Sequence, residues 1–256
     1  MVWDVIAAKG DTLHVIDATA RRRTVLSADY KTVRSDLLPG TIYRAELLDN
    51  GKLILNGTVR TRDGFGRPLH IYDPTNRSIN SFGELEGQAD ATSEVLRQIA
   101  VGNGDLFWTS MGGRYVLQQW NGQGRLVKQL TRSVSWFPLP SRPFDGKTPP
   151  PPRVTDVTID SNGLLWASVS VPAADWRNHL KSYYDPNRKQ RMYRTSNAAW
   201  NTVIEVINPR TATVVASKRY RGRNLGFASP NQIVFYTTDN VGRGSVAIWR
   251  LGLSKL

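Results

Sequence analysis

Five times along this chain a tight turn of Asp, Asn or Gly runs straight into a short apolar strand. The copies are Gly10-Asp-Thr-Leu-His-Val-Ile-Asp17, Asn50-Gly-Lys-Leu-Ile-Leu-Asn56, Asn103-Gly-Asp-Leu-Phe-Trp-Thr109, Ser161-Asn-Gly-Leu-Leu-Trp-Ala167 and Pro230-Asn-Gln-Ile-Val-Phe-Tyr236. With Leu13, Leu53, Leu106, Leu165 and Ile233 as equivalents, successive copies lie 40 to 68 residues apart. A second unit of strand, tight turn and strand follows most copies: Val25–Val33, Ile71–Ile79, Trp120–Val127 and Ile207–Val214. Its turns use Asp-Pro, Asn-Gly and Asn-Pro. Proline fixes φ, glycine permits positive φ, and Asn or Asp bonds its own backbone. Two strands around such a turn read as a hairpin.

Both units together make a four-stranded antiparallel meander with the period of a propeller blade, roughly 40–50 residues. One such sheet cannot bury both faces alone, so blades must stack around an axis. The expected fold is an all-β propeller occupying residues 1–256 as a single domain. Its five blades fall at about 2–40, 41–90, 91–140, 141–222 and 223–256. The strands of a blade are named a, b, c and d. The fifth blade has a, b and c at 225–229, 232–238 and 245–251, with no room for d. A closed ring would take that strand from the N-terminus or from residues beyond this sequence. Composition agrees with strands: there are only 5 Glu and 9 Lys, against 24 Trp, Tyr and Phe.

These copies resemble the bacterial NHL-type six-bladed β-propeller family. The likeness lies in Asp160–Trp166, in Leu13–Arg21 and in the hairpins above, and it covers nearly the whole chain. It implies six blades, so the five found here read as a ring lacking an N-terminal blade. It also implies an extracytoplasmic protein, although the N-terminus has no basic region followed by a long apolar stretch. The related gluconolactonase type holds an axial cation with Glu, Asn and Asp. Glu205 is the only Glu after residue 94, and no matching set can be placed. That activity is not carried over.

Charge gives the functional direction. With 34 Lys and Arg against 21 Asp and Glu the net charge is +13, and 25 of the basic residues are Arg. Arginine suits phosphate, carboxylate and nucleic acid. A meander puts the a–b and c–d turns on one edge of a blade and the b–c and d–a connections on the other. Four b–c connections carry a small residue followed by Arg: Ala20-Arg21, Gly66-Arg67, Gly113-Arg114 and Gly242-Arg243. The fifth is a long insertion in blade four, 172–200. It interleaves Arg177, Lys181, Arg188, Lys189, Arg191 and Arg194 with Trp176, Tyr183, Tyr184 and Tyr193. The d–a run Lys218–Arg223 adds charge, and the d–a loop with Glu84, Glu86, Asp90 and Glu94 opposes it. A connection this long is commonly functional, and Arg beside aromatics suits anions, sugars or bases.

The expected function is therefore a binding module with a basic, aromatic-containing face for an anionic ligand or protein partner. Its candidate ligand residues are Arg21, Arg67, Arg114, Trp176, Arg177, Tyr183, Tyr184, Arg188, Arg191 and Arg243. Nucleic acid as partner rests on charge alone. The alternative is a sugar-acid or lactone hydrolase or lyase working at the axis, with Asp4, Glu46, Asp156 and Asp160 as strand-a candidates. The residues do not decide whether the protein is an enzyme. No metal site is read: cysteine is absent, and no His-x-x-x-His or comparable spacing occurs. No cofactor fingerprint appears either. No stretch approaches the roughly 20 apolar residues of a membrane helix. His14 and His70 read as structural, Pro149–Pro152 as a stiffener, and the chain as a monomer. Trp108, Trp120, Trp166, Phe235 and Trp249 read as inter-blade core.

Overall fold

The computed structural model describes residues 2–8, 11–60, 67–84, 96–102, 104–111, 113–138, 144–187, 189–238 and 243–253. Its strands form five antiparallel blades of the β-propeller kind, in chain order. Blade one is β1 (Val2–Ala8), β2 (Thr12–Asp17), β3 (Arg22–Leu26) and β4 (Thr32–Leu37). Blade two is β5 (Gly40–Leu47), β6 (Leu53–Val59), β7 (Leu69–Asp73) and β8 (Ser78–Phe82). Blade three is β9 (Ile99–Val101), β10 (Phe107–Ser110), β11 (Val116–Trp120) and β12 (Leu126–Thr131). Blade four is β13 (Arg153–Ile159), β14 (Leu165–Pro172), β17 (Trp200–Asn208) and β18 (Thr213–Arg221), with the separate hairpin β15 (Leu180–Asp185) and β16 (Gln190–Thr195) inserted between β14 and β17. Blade five has three described strands, β19 (Asn224–Ser229), β20 (Gln232–Thr238) and β21 (Gly244–Arg250).

The chain falls into two compact units, Met1–Gly112 with Leu117–Gln129, and Gly113–Val116 with Leu130–Leu256. Within each, neighbouring blades meet through their first strands: β1 against β5 and β5 against β9 in the first, β13 against β19 in the second. The second strands β6, β10 and β14 are buried almost throughout rather than alternately, because both of their faces are covered. Leu53–Leu55 of β6 and Ala167 and Val169 of β14 are fully buried. Fourth strands are largely exposed. In the first unit Ile16, Ile42, Leu53 and Leu55 form one core cluster, and Ile54, Phe82, Phe107 and Trp120 another. In the second, Trp166, Ile204, Val206, Ile233 and Phe235 pack together.

A repeated device ties first strands together. Asp4 and Asp156 each follow a register shift in their strand and each stand in the sequence Val-x-Asp-Val. In both, Oδ1 accepts the next residue's N–H and Oδ2 accepts an N–H from the next blade. Asp4 takes Val5 and Ala45, both at 3.1 Å. Asp156 takes Val157 at 2.9 Å and Phe227 at 2.7 Å. The bulge turns the carboxylate out of the ladder toward its neighbour. Blade two reaches blade three differently, through Arg44 Nε to Gln98 Oε1 and Arg97 N–H to Asn56 Oδ1, both at 3.1 Å.

Two sequence readings need correction. Leu106 is not the equivalent of Leu53 and Leu165: it is exposed and precedes β10, whereas those two are fully buried. The a–b turns explain the slip. Leu48 N–H bonds Lys52 O, Asp160 N–H bonds Leu164 O, and Gly102 N–H bonds Leu106 O. Leu106 therefore closes its turn, and Phe107 is the first core residue. Moving one residue along a strand exchanges its faces. Trp249 is also not core. It is 42% exposed on β21, against 6% or less for Trp108, Trp120, Trp166 and Phe235.

Candidate functional site: the blade-four hairpin and its cleft

The insertion folds as an anchored hairpin. It opens with a 3-10 turn at Trp176–His179, pairs β15 with β16 from Leu180↔Thr195 to Asp185↔Gln190, and closes with a second turn at Asn197–Ala199. Its base is sealed by Ala173 N–H to Ala199 O at 2.9 Å and Ser196 N–H to His179 O at 3.1 Å. Trp176, Ala199 and Trp200 are buried there with Phe144 and Leu180 against them. Trp200 Nε1 donates to Thr195 Oγ1 at 3.0 Å. Phe144 meets Trp176 and Tyr193 edge-on at 6.1 and 6.4 Å. Gly146, at φ 75°, lies so close under Tyr193 that a Cβ would come within 2.6 Å of the ring.

The candidate ligand residues divide accordingly. Trp176 is the buried anchor. Arg177 is exposed, 5.3 Å above the Trp176 ring, and donates from Nη2 to Lys147 O at 3.1 Å. Tyr183 and Tyr184 are exposed, and Tyr184 pairs with the exposed Arg191 across the hairpin. Arg194 stacks on Tyr183 at 4.3 Å, a cation–π geometry. Arg177, Lys181, Lys189, Arg191 and Arg194 have no carboxylate partner among the described residues. Within the insertion His179 Nε2 lies 3.5 Å from Asp175 Oδ2. Arg188 lies outside the described residues, as do Gly66, Gly242, Glu86, Asp90 and Glu94. Arg21 and Arg67 are exposed in the first unit, and Arg114 and Arg243 in the second. The Arg21 backbone, at φ 47°, accepts Leu38 N–H at 2.7 Å.

Between hairpin and blade lies a cleft of about 270 Å³. Aromatic Phe144, Tyr193 and Trp200 line it, together with Arg153, Arg194 and Arg223. Pro150 of the polyproline run forms part of the wall. Arg153 opens β13, directly opposite Ser170 on β14. Arg223 is held by its neighbours: Thr202 Oγ1 donates to Gly222 O at 2.7 Å and accepts Asn224 N–H at 3.2 Å. Arg153 and Arg223 are both exposed, yet crowding by protein atoms and then the Arg223 charge hold the Arg153 pKa below the ordinary value. Ser170 is 2% exposed and lines the cleft, and its hydroxyl has no hydrogen-bond partner among the described residues. Sequence reasoning missed Arg153 and Ser170. The signal available was Arg153's place in a d–a connection, on the same blade edge as the insertion.

The carboxylates considered for an axial site are engaged in the fold. Besides Asp4 and Asp156, Asp160 Oδ1 accepts Asn162 and Leu164 N–H, both at 2.9 Å, and its Oδ2 accepts Trp166 Nε1 at 3.0 Å. Glu205 is 2% exposed. Its Oε2 accepts Tyr115 OH at 2.9 Å and Arg132 Nε at 3.1 Å, and its Oε1 accepts Arg132 Nη2 at 3.0 Å. Burial, then the Glu205 charge and hydrogen bond, push the Tyr115 phenol well above its ordinary pKa.

Fold and site together define a β-propeller bearing a basic, aromatic-walled cleft under an anchored hairpin. Among solved structures, the chain is similar to a DUF4221-family protein from Bacteroides vulgatus, with TM-score 0.58, 9% identity, and coverage of 94% of this chain and 76% of that one. It is similar also to a Bacteroides fragilis protein named as a candidate for export, with TM-score 0.58, 10% identity, and coverage of 92% and 66%. This chain thus spans about two thirds of the second protein's length. A virginiamycin B lyase from Staphylococcus aureus gives TM-score 0.49 at 10% identity, covering 91% of this chain and 76% of the lyase. Likeness at such identities establishes the propeller fold alone. No protein-family model matches the chain, and no curated protein matches it.

Proposed function

We propose that the protein is a β-propeller binding module that takes an anionic ligand at blade four. The observation that carries this reading is the anchored insertion: Arg177, Lys181, Arg191 and Arg194 are held on a fixed hairpin beside Tyr183 and Tyr184, with no carboxylate partner among the described residues. A purely structural surface intersperses its charges with opposite ones; unneutralised cations on a rigid element attract anions. Arg21, Arg67, Arg114 and Arg243 would serve the same role on the b–c edges of their own blades, and Arg188 would extend the hairpin's charge. The reading includes one propeller domain over 1–256 acting as a monomer, and a likeness to NHL-type six-bladed propellers that rests on the hairpin motifs. An extracytoplasmic place of action fits that likeness and the export assignment of one similar protein. Among the described residues no helix is long and apolar enough to cross a membrane.

The test is retention on a heparin matrix under a salt gradient, comparing the wild type with two doubly substituted variants of equal charge. Arg177→Gln with Arg191→Gln should elute at clearly lower salt than Arg125→Gln with Arg210→Gln. Equal elution of the two variants would mean that only net charge matters, and would remove the hairpin from the account.

A further inference from the structure

The cleft behind the hairpin has properties that the exposed hairpin does not share. It gathers arginines from three segments far apart in the chain: Arg153 before blade four, Arg194 in the insertion and Arg223 after blade four. Neither Arg153 nor Arg223 has a carboxylate within ion-pair distance among the described residues. Like charges held together without a counterion raise the energy of the empty site, and a bound anion relieves that cost. Beside them Ser170 presents a buried hydroxyl with no hydrogen-bond partner among the described residues. A buried polar group in that state destabilises the empty site, and a ligand oxygen would relieve that cost. Phe144, Tyr193 and Trp200 wall the charges on one side, while the three arginines themselves stay open to solvent and accessible to an entering anion.

We infer that Arg153, Arg223 and the Ser170 hydroxyl, with Arg194 at the rim, bind the phosphate group of a small soluble phosphomonoester. The inference rests on the reading of blade four as an anion binder and sharpens it to a class. Guanidinium groups meet phosphate oxygens in paired hydrogen bonds. Three of them carry more charge than one carboxylate neutralises, which favours the phosphate dianion. The Ser170 hydroxyl donates to a remaining oxygen. The Arg223 backbone is clamped on both sides through Thr202. The Arg153 backbone is fixed by its pairing with Ser170. The backbones that carry the two arginines are therefore in place before the ligand arrives, which limits the ordering cost of binding to the side chains.

Isothermal titration at low ionic strength with inorganic phosphate, glycerol 3-phosphate and acetate tests this. Both phosphate probes should bind, and acetate should bind at least about tenfold more weakly. Affinity for the ester should rise between about pH 5 and 7.5 as its second proton leaves, near pH 6, while acetate stays flat. Arg153→Gln and Arg223→Gln should each weaken ester binding by about tenfold or more, and Ser170→Ala by a few-fold. Arg125→Gln with Arg210→Gln should leave it unchanged. Thermal unfolding of each variant separates loss of the site from loss of the fold. Glycerol 3-phosphate should displace inorganic phosphate, and phosphatidic acid vesicles should not; the reverse would overturn the assignment to a soluble ester. Equal binding of acetate, or full affinity in the Arg153→Gln and Arg223→Gln variants, would overturn the site. If no phosphate binds but the hairpin variant still loses heparin retention, the cleft assignment fails and the broader reading stands. If both results are negative, both fail.

Discussion

The Asp156 carboxylate on β13 accepts the Phe227 backbone N–H of the next blade at 2.7 Å. Its place is fixed twice over, since its other oxygen takes the adjacent Val157 N–H. Asp4 repeats the arrangement toward Ala45 in the first unit. These two bonds join strands that share no ladder, so each carries blade-to-blade registration. Removal of either carboxylate leaves a partly buried N–H unpaired. Asp156→Ala and Asp4→Ala should each cost about 1–3 kcal/mol in chemical denaturation. Asparagine keeps one acceptor oxygen and should cost less. An Asp156→Ala variant as stable as the wild type would show that the bond is incidental.

Gly226 lies against the same carboxylate. At φ 132° it holds a conformation open to glycine, and a Cβ there would come within 2.6 Å of Asp156 Oδ2. Gly226→Ala should therefore destabilise by about 2 kcal/mol or more. In the Asp156→Ala background the steric part of that penalty should shrink, and a double-mutant cycle reads the coupling. Strictly additive effects would mean that the two residues do not interact.

Glu205 is a fully engaged carboxylate. Arg132 grips both of its oxygens and Tyr115 adds a third bond. Its role is structural: it secures Arg132 and Tyr115 in the second unit, where Tyr115 also packs on Trp136 and Phe137. Glu205→Ala should cost about 3 kcal/mol, since it strands a half-buried guanidinium. In an ultraviolet titration Tyr115 should ionise well above the ordinary tyrosine value, and Glu205→Gln should bring it down. An unchanged tyrosine titration in Glu205→Gln would contradict the assignment.

His14 gives the fold an acid sensitivity. Burial, and then the Arg23 charge, lower its pKa from 6.5 to about 4. Its Nδ1 is buried without a partner among the described residues. The folded state thus keeps the ring neutral while the unfolded chain takes up a proton. Stability from this group is complete above pH 6.5 and is lost as pH falls from there to about 4, to a total on the order of 2–3 kcal/mol. His14→Gln should flatten the stability profile in that window. His70 serves as the internal comparison: it too is held below its ordinary pKa by burial, although Gly57 O opposes the shift, and Ser81 Oγ lies 2.8 Å from its Nδ1. A profile unchanged by His14→Gln would place the acid sensitivity elsewhere.

The architecture was legible because its signals are local. Turn residues and apolar runs lie within a few positions of each other, so the antiparallel blades and the strand Gln232–Thr238 could be read directly. Leu106 misled because an apolar residue closing a turn has the same composition as one opening a strand. Trp249 misled because an aromatic in a strand pattern reads as core whichever face it takes, and on β21 it keeps 42% of its surface exposed. Asp4 and Asp156 were noticed as carboxylates on first strands. Their Val-x-Asp-Val setting marks a bulge and a latch, which appears only once the neighbouring strand is in place. The hairpin's charges were legible from one stretch of sequence. The cleft was not, since Arg153, Arg194 and Arg223 are brought together only by the folded blade, and Ser170 has nothing in its sequence context to set it apart.

The most direct measurement is a crystal of the protein soaked in tungstate, a heavy analogue of phosphate whose anomalous signal locates it without ambiguity. The account predicts a tungstate ion in the cleft between Arg153 and Arg223, within hydrogen-bond distance of Ser170 Oγ, and its loss from Arg153→Gln crystals. Tungstate found at other surface arginines, with the cleft empty, would contradict it.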